Sequence, residues 1–308
     1  MAKQSWLDRA LPFMALRWPL GILAIVLTVV AIGAFAVRDL NYALDFTGGT
    51  LVELVYEEPV ALQEVRDRLT EAGYPGAVVV HFGSDSDVLI RMAQADSSSL
   101  GERILGIVGV DREVELKRSE YVGPQVGEQL REQGGLALLL ALGMIMLYIA
   151  MRFQFKFAVG AAVSTAHDAI VVVGCFALFQ WEFDLTVLAA VMAVIGYSIN
   201  DTIVVYDRIR ENCRQLRIRD TREIIDVSVT QTLGRTLATS VSTLLALLAL
   251  FYFGGDMMRG FSVALIIGIV VGTFSSIYVA APMLLVQNFQ REDLLVPEKE
   301  GAQADGLP

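Results

Sequence analysis

Six apolar runs, at about 19–37, 134–151, 157–180, 185–206, 234–253 and 261–285, constrain this chain more than anything else in it. A helix that crosses a bilayer needs roughly 20 mostly apolar residues, and each run is of that order. Composition agrees. Hydrophobic residues make up 55% of the chain and charged residues 19%, against about 45–50% and about 25% in ordinary soluble domains. The first run is longer than a signal-peptide core of about 7–15 residues. The "VRDLNYALDF" that follows it lacks a small-residue cleavage site. The expected fold is therefore an α-helical polytopic membrane protein with six transmembrane helices.

Lys and Arg beside the runs set the expected orientation. Lys3, Arg9 and Arg17 precede the first helix, and Arg152 and Lys156 separate the second and third. Six arginines between Arg208 and Arg222 separate the fourth and fifth, with Arg235 just beyond. The alternate loops "WEFD" and "GGDMMR" carry none and one. Both termini are expected in the cytoplasm, with residues 1–18 as a short arm, 207–233 as a cytoplasmic loop and 288–308 as a polar tail. "DTREIIDVSVTQTL" within that loop predicts a short amphipathic helix at the membrane surface.

Residues 38–133 are expected outside, with 18 acidic and 9 basic residues. "TLVELVYEE", "AVVVHF", "DVLIRM" and "REVELKRSEYV" read as strands. The stretches 59–73 and 96–109 read as helices, the second with a serine cap. The order βαββαβ is ferredoxin-like, a fold that hosts many functions and identifies none.

Net charge is −10 and the basic residues are dispersed, which gives no footprint for nucleic acid. Cys175 lies in an apolar run and Cys213 in an Arg-rich stretch, so no disulfide framework is indicated. No CxxC, HExxH, P-loop, GxGxxG or GxSxG occurs. No cofactor and no metal is expected, and the chain does not read as an enzyme.

The chemistry is concentrated where charge enters the apolar runs, at a cost of about 2.5–3.5 kcal/mol for an Asp or Arg at a helix centre. His167 and Asp168 sit mid-way along the third run. Asp201 lies five residues, roughly 8 Å, inside Tyr206 at the end of the fourth. Arg235 opens the fifth and can reach inward, so contact with Asp201 is geometrically allowed. Burial disfavours an ionised carboxylate and an adjacent guanidinium favours it, so such a pair can take up and release a proton. A structural ion pair that only fixes helix packing is the plainer alternative. Asp168 and His167 are candidates for the same relay or for satisfied interior polar groups. Asn200 and Ser198 suit interhelical hydrogen bonds, and Gly268 and Gly272 form a GxxxG suited to close helix packing. "DFTGGT" reads as a turn into a strand.

Several stretches then resemble one family. "LDFTGGT" (44–50), "GPQVGEQL" (123–130), "STAHDAIVVVGCFAL" (164–178), the block 182–212 containing "GYSINDTIVVYDRIREN", "LGRTLATSVSTLLALLAL" (233–250) and "GTFSSIYVAAP" (272–282) occur in the order and topology of the SecF branch of the SecD/SecF protein-export family. The resemblance covers about 19–287 and leaves 1–18 and 288–308 outside it. It implies half of a resistance-nodulation-division transporter in the bacterial inner membrane. The implied partner is SecD, which supplies six more helices. The SecYEG channel, SecA, YidC and the translocating preprotein are further implied partners, and the proton-motive force is the implied energy source. It also implies that Asp201 and Arg235 belong to a proton pathway completed by a SecD carboxylate that this chain lacks. One proton falling through about 100 mV releases about 2.3 kcal/mol, enough to bias two states a few kcal/mol apart. Hinges for a moving outer domain are expected near Arg38–Asp45 or Tyr121–Gly127.

Three other readings remain open on the residues alone. An independent proton-driven exporter shares the half-fold, but pumps of that type usually carry two repeats. An intramembrane aspartyl protease needs two carboxyls sharing a proton. Asp168 and Asp201 could supply them, although no GxGD occurs. A scaffold would use the same charges only to hold helices together.

Overall fold

A lipid-facing chain must satisfy its backbone within itself, and long uninterrupted apolar runs do so as helices. The computed structural model describes residues 10–82, 84–93, 100–216, 218, 220–290 and 293. Lys3, Arg9, Arg217, Arg219, the serine cap expected at 96–99 and most of the tail 288–308 lie outside the described residues.

A 3₁₀ turn (Phe13–Leu16) leads into α1 (Arg17–Arg38), followed by β1 (Asn41–Tyr42), the single turn α2 (Leu44–Thr47), β2 (Gly49–Tyr56) and α3 (Leu62–Glu71). Next come β3 (Val78–Phe82), β4 (Ser84–Met92), α4 (Leu100–Val108) and β5 (Val114–Val122). The rest is α5 (Pro124–Arg152), α6 (Phe155–Phe179), β6 (Glu182–Phe183), α7 (Leu185–Gln215), α8 (Thr221–Phe253), α9 (Gly255–Ser275), a π turn (Ser276–Ala280) and α10 (Ala281–Val286). Among the described residues six helical stretches are long and apolar enough to cross a membrane, the last running from α9 through α10.

The outer block folds as expected, as β2–α3–β3–β4–α4–β5. Its sheet order is β3-β4-β2-β5 and every pairing is antiparallel. Val52 and Leu54 of β2, Ile90 of β4, Leu69 of α3 and Ile104 of α4 are fully buried in one core. Strand β4 starts three residues earlier than its apolar run, because Ser84 pairs directly with Phe82 across a very short connection. Tyr56 closes this core, 2% exposed, and its hydroxyl has no partner among the described residues.

Among the spanning helices, α6, α7 and α9–α10 are central. Of their most apolar windows 56%, 50% and 44% are buried, against 17%, 11% and 17% for α1, α5 and α8. One expectation needs correction. "DTREIIDVSVTQTL" is not a separate surface helix but the first turns of α8. No breaker follows the Asp220 cap, and Ile224, Ile225, Val227 and Val229 are buried. Asn212 of α7 ties down that stretch, donating to Ser228 Oγ at 2.8 Å and to Gln231 Oε1 at 3.0 Å. The last spanning helix is not uniformly α. Pro282 lacks an N–H and its ring crowds the carbonyl four residues back, and the helix widens to π just before it. Tyr206 Oη, fully buried, donates to the Ala280 carbonyl of that turn at 2.9 Å.

Candidate functional site

Helices α6, α7 and α9 meet around Asp168, which has no exposed surface. Ser275 Oγ donates to Asp168 Oδ2 at 2.8 Å, Ser198 Oγ donates to the same oxygen, and His167 Nδ1 lies 2.9 Å from Oδ1. Ser164 Oγ donates in turn to Ser275 Oγ at 3.0 Å. One carboxylate therefore organises side chains from three helices. The glycines of α9 permit this approach. A methyl on Gly272 would stand 3.0 Å from Ser198 Cβ, and one on Gly268 would overlap the Val194 side chain. The GxxxG spacing thus presses α9 onto α7, as its small residues allow.

Asp201 is placed differently. It lies about one turn beyond Ser198 on α7, is 3% exposed, and its Oδ2 has no hydrogen-bond partner among the described residues. The buried hydroxyls of Thr202 and Thr165 and Nε2 of His167 are likewise unpartnered. Helices α6 and α7 run antiparallel, and Ser198 faces Asp168. One turn along the seam, Asp201 and Thr202 therefore lie at the level of Ser164 and Thr165. The result is two carboxyls on one seam, one saturated by donors and one open. An unmet buried acceptor costs about 1–3 kcal/mol, a cost that a proton or a water molecule relieves.

Arg235 on α8 forms no ion pair with Asp201 within 4.0 Å, and Arg235 is exposed. Asn200 is also exposed, with no hydrogen bond among the described residues, rather than bridging helices within the chain. Asp207, at the end of the apolar run, pairs with Arg210 at 3.6 Å.

The "TGG" segment forms the junction between the outer domain and the spanning helices. Gly48 (φ +74°) abuts Pro124 at the start of α5, and Gly49 (φ +146°) abuts the Met92 carbonyl. Gly127 packs on Phe46 and Gly48, leaving no room for a side chain. β1 pairs with β6 in the turn between α6 and α7, Asp45 Oδ2 accepts from the Leu185 N–H at 3.1 Å, and Arg91 of β4 bonds Glu182 at 2.8 Å. The outer domain is thus fastened at α5 and at the head of α7, the helix that carries Asp201.

The family model described as "Protein export membrane protein SecD/SecF, C-terminal" matches residues 107–290, and "SecD/SecF GG Motif" matches residues 33–60. The chain belongs to the SecD/SecF family. Similar relatives include a protein translocase subunit SecF of Pseudomonas aeruginosa, 53% identical over 95% of this chain and 96% of that one. The SecF of Escherichia coli O157:H7 is 43% identical over 94% and 92%. The crystal structure of SecDF from Thermus thermophilus superposes with a TM-score of 0.80 at 37% identity, covering 92% of this chain and 39% of that chain. Like its SecD/SecF relatives, this is a multi-pass membrane protein. The two SecD/SecF models between them take in the "TGG" junction and the whole α6–α7–α9 seam.

Reading the sequence singled out Asp168, His167, Asp201, Ser198, Gly268 and Gly272, and the fold brings all six to this seam. It missed Ser275 and Ser164 as partners of Asp168, and it missed Tyr206. Ser275 lies three residues past Gly272, on the face that the GxxxG turns toward α7. That spacing was the available signal.

Proposed function

We propose that this chain is the SecF subunit of a SecD–SecF complex in the bacterial inner membrane, with both termini cytoplasmic. In this reading it is a transport component and not an enzyme. The complex assists SecYEG- and SecA-dependent export of preproteins, with YidC as a further partner, and draws on the proton-motive force. The observation that carries the reading is Asp201: a carboxyl 3% exposed within a spanning helix, with one oxygen unpartnered. Asp201 takes up and releases the proton, and Arg235 and a SecD carboxylate complete the path. Asp168, already engaged by the Ser198 and Ser275 hydroxyls, holds the three central helices in register, with His167 beside it. Arg235 and Asn200 are costly to leave facing hydrocarbon, which supports a face completed by SecD. The fastening of the outer domain to the head of α7 supports transmission of the protonation state outward, with the junctions Arg38–Asp45 and Tyr121–Gly127 as hinges. In cells depleted of their own SecF, this chain co-expressed with its SecD restores secretion, and Arg235→Met abolishes the rescue while SecD still co-purifies. Failure of the unaltered pair to restore secretion overturns the assignment.

A further inference from the structure

A second feature of the spanning region borders the seam at His167 and opens away from it. Helices α1 and α6 are in close contact where Gly174 meets Ala31, so close that a methyl on Gly174 would overlap it. Toward the Arg17 end they diverge. The opening is a groove of about 840 Å³ between α1, α6, the π turn and α10, lined by Gly21, Ile25, Val29, Val163, Pro282 and Val286 among others. Along α1 the groove runs from Arg17 to Val29, or roughly 18 Å at about 1.5 Å per residue. That is close to the depth of one leaflet, half of a hydrocarbon core of about 30 Å.

The lining is mostly apolar, with Thr28, His167 and Tyr278 along it and two guanidinium groups, Arg17 and Arg222, bordering the opening. Arg222 is exposed. Arg17 lies 5.8 Å from the ring of Trp18, and only its Nη1 is engaged, donating to the Met14 carbonyl at 2.9 Å. Asp226 accepts from the Met14 N–H at 2.8 Å and forms no ion pair with Arg17 within 4.0 Å. An apolar trough one leaflet deep with two guanidinium groups at its interfacial end matches one kind of molecule.

We propose that this groove binds an anionic phospholipid from the leaflet at the Arg17 end. One acyl chain lies along α1 against α6, and the phosphodiester is held between Arg17 and Arg222. Charge selects the lipid and groove length seats it. His167 borders the groove, but the assignment rests on the two arginines and the groove length and not on any step of the proton path.

Trp18 lines the groove and is 68% exposed, which makes it a reporter. The chain has three tryptophans, so Trp6→Phe with Trp181→Phe leaves Trp18 as this chain's one reporter, and the signal of the same complex carrying Trp18→Phe is subtracted as that of the partner. This full-length protein, purified with its SecD partner, is reconstituted in phosphatidylcholine vesicles containing either brominated phosphatidylglycerol or brominated phosphatidylcholine. Quenching of Trp18 gives the relative affinity of the two lipids. Preference for the anionic lipid should be at least about fivefold, the factor that corresponds to one basic side chain at an anionic surface. Arg17→Gln with Arg222→Gln should bring the ratio to about one. Gly21→Leu, at a position where an added Cβ meets nothing within 4 Å, fills the trough with both arginines intact and should also lower the ratio. A ratio near one in the unaltered protein overturns the proposal. So does a preference that survives the double arginine replacement, or one that survives Gly21→Leu. Absence of quenching by either lipid would mean that protein covers the groove, and would overturn it equally.

Discussion

Replacing Asp168 by alanine removes the acceptor shared by α6, α7 and α9. Ser198 Oγ and His167 Nδ1 then face a void. An unmet buried donor costs about 1–3 kcal/mol, although hydrogen bonds between membrane helices average only about 0.6 kcal/mol in mutant cycles. Ser275 Oγ can turn its proton to the Gly272 carbonyl at 3.1 Å. The expected net loss for Asp168→Ala is therefore about 2–4 kcal/mol, and about half that for Asp168→Asn, which keeps one acceptor oxygen. Unfolding of the full chain by steric trapping in bicelles measures both. A cycle with Ser198→Ala should show coupling of about 0.5 kcal/mol or more. A loss below about 0.5 kcal/mol, the range of an ordinary surface change, or no coupling to Ser198, would refute the view that this carboxylate holds the three helices.

Gly48→Ala combines a left-handed backbone (φ +74°) with a methyl 2.8 Å from Pro124 Cα. It should cost at least about 1–2 kcal/mol and lower the melting temperature of the outer domain; an unchanged melt contradicts the close approach at the junction. Gly268→Leu, forced against Val194, should destabilise the α7–α9 pair by about 1–3 kcal/mol, read by the same steric trap. Burial pushes the Tyr56 phenol from 10.0 up to about 12, against the opposing pull of Arg68. The folded state therefore keeps the proton over a range where the unfolded chain loses it. Outer-domain stability should fall as pH rises from 10 toward about 12, and Tyr56→Phe should flatten that fall. Hydrogen exchange of β2 amides across this range checks it, and an identical slope in the variant refutes it.

The six spanning helices were legible because their signal is cumulative: some 20 residues must all be apolar. The outer domain was legible because strand alternation and helix periodicity disagree and so mark each other's ends. Asp168, His167 and Asp201 stood out because charge in an apolar run is costly. The partners of Asp168 did not, since a serine in a spanning helix is cheap and common, and only the crossing of α7 and α9 makes Ser198 and Ser275 converge. The start of α8 was misread because "REIID" is polar enough for a surface helix. Its burial depends on Asn212 of α7, a contact no local pattern encodes. The π turn depends on Pro282 being held inside a packed helix rather than ending it. Arg235 was expected to reach Asp201, and its exposed position instead reflects which helices are central and which are peripheral, a property of the whole bundle.

The central claim is that protonation of Asp201 couples the gradient to export. Vesicles carrying SecYEG, SecA, SecD and this chain, assayed with and without an imposed proton gradient, test it most directly. With Asp201→Asn the gradient-independent export should persist and the gradient-dependent increment should disappear. A full increment in that variant, at equal complex content, would contradict the account.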